Sequence, residues 1–119
     1  MPMHCTAIGK ALLAHDPAAR RAVLTGPLER RTPHTVVAPG LLEQQLDRVL
    51  ETGVAHEREE STPGLLCVAA PILEPDGRAA VAAISVTGPV GRFRPDAHVT
   101  ALRAAATALG STLARRYPR

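Results

Sequence analysis

The residues able to do chemistry fall into small groups. Cys67 sits inside the most apolar run of the chain, Leu65 to Leu73. It reads as a buried small hydrophobe, as a lining residue of a cavity, or as a nucleophile. The last needs a base within reach and a lowered thiol pKa. His4, His15, His34, His56 and His98 are the available bases, and spacing assigns none of them. Glu57, Glu59 and Glu60 form an acidic cluster that reads either as a solvated loop or as a source of one inward carboxylate. Strand alternation places Glu57 and His56 on opposite sides. An inward carboxylate opposite Cys67 would hold a polar ligand or, less readily, a metal, although the Glu, Cys and His spacing matches no zinc pattern. Ser85 and Thr87 share a strand face, because side chains repeat every two residues. They read as ordinary hydroxyls or as donors to a small carboxylate or carbonyl. Such an anion also wants a helix N-terminus, and the turn around Thr6, Ala7 and Ile8 offers backbone N–H groups.

Those residues need elements to position them. Thr6 is an N-cap candidate for a helix over 6–15, with Ile8, Ala11 and Leu12 at helical spacing. Gly9 inside it costs about 1 kcal/mol against Ala, which implies close packing or a backbone left open to a ligand. Asp16-Pro17 starts a second helix, to about Leu24, and Gly26-Pro27 stops it. Residues 28–38 read as irregular or extended, with Thr35-Val36-Val37 as a short strand. Pro39-Gly40 reads as a turn. Leu41, Leu42, Leu46, Val49 and Leu50 then make the apolar stripe of a helix reaching Thr52, with Gly53 as its C′ residue. Val54 to Glu57 is a short strand, Arg58 to Pro63 a polar loop, and Leu65 to Leu73 a second strand. Glu74-Pro75-Asp76-Gly77 is a hairpin turn, with Ala79 to Val86 returning and Gly88-Pro89 ending the strand. Pro95-Asp96 starts a long helix over 96–116. Helices followed by a hairpin indicate an α+β fold with an antiparallel sheet and packed helices, not a βαβ repeat.

Composition narrows the function. The 119 residues suit one domain. One Phe, one Tyr and no Trp argue against nucleic-acid binding by base stacking. The net charge of +3 is mild; the pairs Arg20/Arg21 and Arg30/Arg31 and the tail Arg115, Arg116 and Arg119 read as solvated surface before they read as a phosphate-binding patch. Two cysteines make neither a disulfide framework nor a four-cysteine zinc site. No apolar run reaches the roughly 18 residues of a membrane span, and no signal peptide is visible. The expectation is a cytoplasmic protein without a membrane partner, metal or cofactor. Walker, GxGxxG, HExxH, CxxC and GxSxG motifs do not occur.

Residues 2–14, PMHCTAIGKALLA, resemble the Pro-x-His-x-x-x-x-Gly-Lys-Ala-Leu-Leu-Ala segment of IclR-type bacterial transcriptional regulators. RRTPHTVV at 30–37, LLEQQLDRVLETGVAHEREES at 41–61, GLLCVAAPIL at 64–73 and AAISVTGP at 82–89 resemble further segments of that family, in the same order. The resemblance implies a GAF-like effector-binding domain whose pocket takes small organic acids or aromatic metabolites. Carried onto this chain, it implies ligand contacts from Ala7 and Ile8, from Glu57, from Leu65 and Cys67, and from Ser85 and Thr87. Family members often carry Asp where Glu57 stands, which implies a smaller pocket or a shifted carboxylate; some carry a smaller residue at Ile8, which points the same way.

The resemblance begins at the Pro-x-His motif, so the family's winged helix-turn-helix and the opening strands of its effector domain have no counterpart in these residues. Residues 1–119 are therefore expected to be a single, partial effector-binding domain that senses a small molecule. DNA would be reached only through a winged helix-turn-helix outside this chain. An incomplete sheet leaves an unpaired edge, which implies a homo-oligomer. The alternatives are an enzyme dependent on Cys67 and a remnant acting only through dimerisation.

Overall fold

A computed structural model describes residues 2–117; Arg119 of the basic tail lies outside them. The order of elements is α1 (Ala7–Ala14), α2 (Pro17–Thr25), α3 (Pro39–Thr52), β1 (Ala55–Arg58), β2 (Leu65–Leu73), β3 (Ala80–Pro89), a 3-10 turn (Pro95–His98) and α4 (Val99–Arg116). The fold is α+β, with an antiparallel sheet of order β1-β2-β3.

The starts and stops follow local chemistry. Thr6 caps α1 by accepting the Gly9 N–H at 3.0 Å, which satisfies one donor that a helix N-terminus leaves free. Asp16 does the same for α2 through the Ala19 N–H, with Pro17 at the first helical position. Close packing decides Gly9: a Cβ there would lie 2.5 Å from the Met3 carbonyl oxygen. Pro39-Gly40 is the first turn of α3 rather than a separate turn, because the fixed φ of proline suits that position and its missing N–H costs nothing there. Gly53 ends α3 with φ 81°.

The expected strand at Thr35-Val36-Val37 does not form. The donors it would give to a ladder are used otherwise. The Thr35 N–H donates to the Thr32 carbonyl at 3.2 Å, and the Val36 N–H donates to Glu60 Oε1 at 3.1 Å. The return strand also runs further than expected, to Pro89, because Leu65 to Cys67 pair with Pro89 to Thr87. The start of the last helix is a 3-10 turn, with the α-helix proper beginning at Val99.

Strand alternation divides the core into two layers. On one side Ala55 and Ala69 join Ala7, Ala11, Leu13, Leu42, Leu46 and Val49, with Ile8, Cys67 and Ala83 packed alongside. This is the α1 face. On the other, Val68, Ala70 and Ile72 meet Leu102 and Ala106 of α4, with Ile84, Val86 and Phe93 packed alongside. β1 stops pairing at Ala55, opposite Ala69. Pro71 lies just past that point, where the missing N–H of proline breaks no bond to β1. The outer edge of β3 has no strand beside it among the described residues.

Candidate functional site

The antiparallel registers bring the predicted residues together. Glu57 of β1 stands opposite Cys67 of β2, and Cys67 stands opposite Thr87 of β3. One step along, Ala55, Ala69 and Ser85 form the next row on the same face. Leu65 lies at the far end of that face, opposite Pro89, and is 37% exposed. Above the face lies α1, with Ala7 buried and Ile8 partly buried in the layer that also holds Cys67. All the expected residues, Ala7, Ile8, Glu57, Leu65, Cys67, Ser85 and Thr87, thus belong to one side of the sheet.

Their polar atoms differ in what they have left to offer. Thr6 takes the Gly9 N–H and leaves those of Ala7 and Ile8 without a protein acceptor among the described residues. These two amides carry the partial positive charge of a helix N-terminus. The Ser85 side chain is exposed and makes no hydrogen bond to the described residues. The Thr87 hydroxyl donates to Cys67 Sγ at 3.2 Å, so it reaches a ligand as an acceptor unless it turns away from the sulfur. Glu57 is the inward member of the pair His56 and Glu57, at 6% exposure. Its Oε2 accepts the Glu60 N–H and its Oε1 accepts the Ser61 hydroxyl, both at 2.9 Å.

Sequence reasoning missed the group behind Glu57. Lys10, 1% exposed, donates to Gln45 Oε1 at 2.7 Å and forms an ion pair with Glu60, itself 4% exposed. The other Glu60 oxygen accepts the Val36 N–H. Thr32 and Thr35 donate their hydroxyls to the Glu59 and Glu60 carbonyls. Lys10 is the sole lysine of the chain, and helical spacing alone does not mark it as buried. Glu59 takes the left-handed conformation, φ 55°, and its carboxylate accepts the Gly64 N–H at 3.1 Å. Of the acidic cluster, Glu57 and Glu60 are structural anchors of the β1–β2 loop, and Glu59 closes it.

A nucleophilic role for Cys67 lacks a base. His4 bonds to the Glu29 carbonyl and His15 to the Arg78 carbonyl. His34 lies near Glu59, His56 near Asp96, and His98 stacks on Phe93. The free thiols also differ. Cys67 is half-buried, whereas Cys5 is fully buried, and burial pushes its thiol above the ordinary 9.0.

The seven residues form an open face, not one of the clefts. A cleft of about 650 Å³ lies between the end of α3, the β2–β3 turn and α4; others of about 300 and 450 Å³ lie beside α4 and between α3 and β1. Leu65, Ser85 and Thr87 are open to solvent at the β3 side. No helix among the described residues is long and apolar enough to cross a membrane.

The fold defines a class, small α+β domains in which helices cover both faces of an antiparallel sheet. Residues 1–111 match the family described as bacterial transcriptional regulator IclR, C-terminal, and the chain belongs to that family. It is 39% identical over 117 residues to the glycerol operon regulatory protein of Streptomyces griseus, covering 94% of this chain and 46% of that protein. It is similar to the crystal structure of an IclR homolog complexed with 4-hydroxybenzoate from Microbacterium hydrocarbonoxydans. There the TM-score is 0.85 at 30% identity, over 95% of this chain and 46% of that one. The inducer-binding domain of the PobR transcription factor from Acinetobacter, a double mutant in complex with 3-hydroxybenzoic acid, superposes with a TM-score of 0.80 at 26% identity. That match covers 92% of this chain and 66% of that one. The chain therefore spans about half the length of the curated relative.

Proposed function

We propose that residues 1–119 are the effector-binding part of an IclR-family transcriptional regulator and that the effector is a small organic acid, an aromatic acid included. It binds on the α1 face, against Ala7, Ile8, Glu57, Leu65, Cys67, Ser85 and Thr87. The observation that carries this reading is the convergence on one sheet face of the row Glu57–Cys67–Thr87, the Ser85 hydroxyl and the α1 terminus, whose Ala7 and Ile8 amides, like that hydroxyl, have no partner among the described residues. A carboxylate suits the amides and the hydroxyl, because both donate and the helix dipole favours negative charge. The complexes of similar proteins with 3- and 4-hydroxybenzoate support the ligand class.

In this reading the chain is a sensor and not an enzyme, and it works in the bacterial cytoplasm. The unpaired β3 edge supports assembly with a further copy or with additional strands. Ligand binding alters regulation by favouring one arrangement of subunits over another, and DNA is contacted by a winged helix-turn-helix outside these residues.

The test is thermal unfolding with and without 4-hydroxybenzoate and a panel of short aliphatic acids. Binding to the folded state alone raises Tm with ligand concentration. The expected result is a concentration-dependent rise with at least one acid that Ser85→Ala removes. A cooperative melt that no acid shifts at millimolar concentration would overturn the reading.

A further inference from the structure

The buried group formed by Lys10, Gln45 and Glu60 has no part in the ligand contacts described above, yet it ends on one of them. Lys10 holds the Glu60 side chain, and Val36 holds its other oxygen. With the side chain so fixed, the Glu60 N–H is presented to Glu57 Oε2, while Ser61 presents its hydroxyl to Oε1. Glu57 is therefore held from both sides by donors. A carboxylate is an acceptor with about four lone-pair sites, so a group meeting it from the ligand has to donate. A second carboxylate placed there would meet like charge.

The rest of the α1 face has the reverse character. Glu57 and Thr87 are separated by two strand spacings, about 9.5 Å between Cα atoms. Ser85 in the adjacent row and the amides of Ala7 and Ile8 in the α1 layer over the face donate to nothing among the described residues, and such donors suit an anion. A ligand bridging the face has to be bipolar, with an acid at one end and a hydrogen-bond donor at the other.

We propose that Lys10, Glu60 and Ser61 are positioning residues that set Glu57 as an acceptor wall, so that the site selects acids carrying a separate hydroxyl over the same acids without it. The inference rests on the α1 face being the ligand site. Lys10 and Ser61 touch no ligand; they act through Glu57.

Calorimetric titration of the full chain with 4-hydroxybenzoate and with benzoate tests it, because the two differ by the hydroxyl alone. A hydrogen bond to a charged acceptor predicts at least a tenfold preference, roughly, for the hydroxylated acid in the wild type. Lys10→Met and Ser61→Ala are expected to bring the two affinities within about threefold, while benzoate affinity changes little. Stability loss alone would weaken both acids together and leave the ratio intact. Should Lys10→Met fail to fold, Ser61→Ala decides, since it removes one donor at a partly buried position. Equal wild-type affinities for both acids would leave the effector reading standing and overturn the inference. A preference that survives in the variants would show that Glu57 needs no positioning pair, which also overturns it. If neither acid binds, this inference and the aromatic-acid reading fall together.

Discussion

The two faces of the sheet are made by alternate residues of the same strands, yet they are built on different principles. Towards α4, Val68, Ala70 and Ile72 meet Leu102 and Ala106, and none of the buried polar side chains among the described residues belongs to that layer. Towards α1, the buried layer has an apolar half around Leu42 and Leu46 and a polar margin containing Lys10, Glu57, Glu60, Thr32 and Thr35. No buried side-chain nitrogen or oxygen among the described residues lacks a hydrogen-bond partner. The dry face supplies adhesion, which is proportional to apolar area and indifferent to direction. The polar margin supplies fixed directions for donors and acceptors, and these a ligand site requires. The difference explains why every candidate ligand residue lies on one side.

The sharpest way to break the contrast is to remove one charge from the polar margin. Lys10→Met leaves Glu60 buried without its cation, and breaking such a pair costs about 3–5 kcal/mol. Denaturant unfolding of the purified variant measures it. The matching change on the dry face is Leu102→Ala, expected to cost about 2–5 kcal/mol by lost burial and a residual cavity. Its effect should be confined to stability, with the preference between hydroxylated and plain acid unchanged.

Smaller changes sharpen the comparison. Gly53→Ala introduces a Cβ at φ 81°, beside the Arg103 side chain at 3.2 Å. Left-handed backbone costs an L-residue about 1–2 kcal/mol, so Tm should fall without altering ligand selectivity. The thiols report accessibility directly. Iodoacetamide at neutral pH should modify half-buried Cys67 before fully buried Cys5, read by mass spectrometry of the digested protein. Cys5 also contributes a weak pH effect. Burial raises its pKa above the 9.0 of an exposed thiol, so the folded state keeps its proton longer than the unfolded state does. That contribution is complete below about pH 9 and is lost as pH rises through the folded pKa. Cys5→Ala should flatten this alkaline loss, measured as the slope of unfolding free energy between neutral and alkaline pH.

Much of this is legible in the sequence. Thr6 and Asp16 as caps, Gly53 as the end of α3, the Asp76-Gly77 hairpin and the antiparallel sheet follow from short-range rules, because caps, turns and strand period depend on residues a few positions apart. The period of two put Ser85 and Thr87 on one face and separated Glu57 from His56. The family segments named the same residues.

Other features depend on groups far apart in the chain, and only the tertiary structure decided them. Lys10 meets Glu60 across 50 positions, and nothing local distinguishes a buried lysine from a solvated one. Thr35-Val36-Val37 has strand-forming residues, but the Thr35 N–H turns back to the Thr32 carbonyl and the Val36 N–H goes to the Glu60 carboxylate, so a local turn and a distant side chain took the place of a neighbouring strand. The Thr87 hydroxyl reads from sequence either as an ordinary hydroxyl or as a ligand donor, and in the structure it donates to Cys67 Sγ. Register made the site: Glu57, Cys67 and Thr87 come from three strands and share a row only because the ladders align them. The sequence by itself determined which residues face together within each element, since that needs only the backbone period. Which elements meet, and which donors remain for a ligand, were settled by long-range pairing, where every buried polar group has to find a partner.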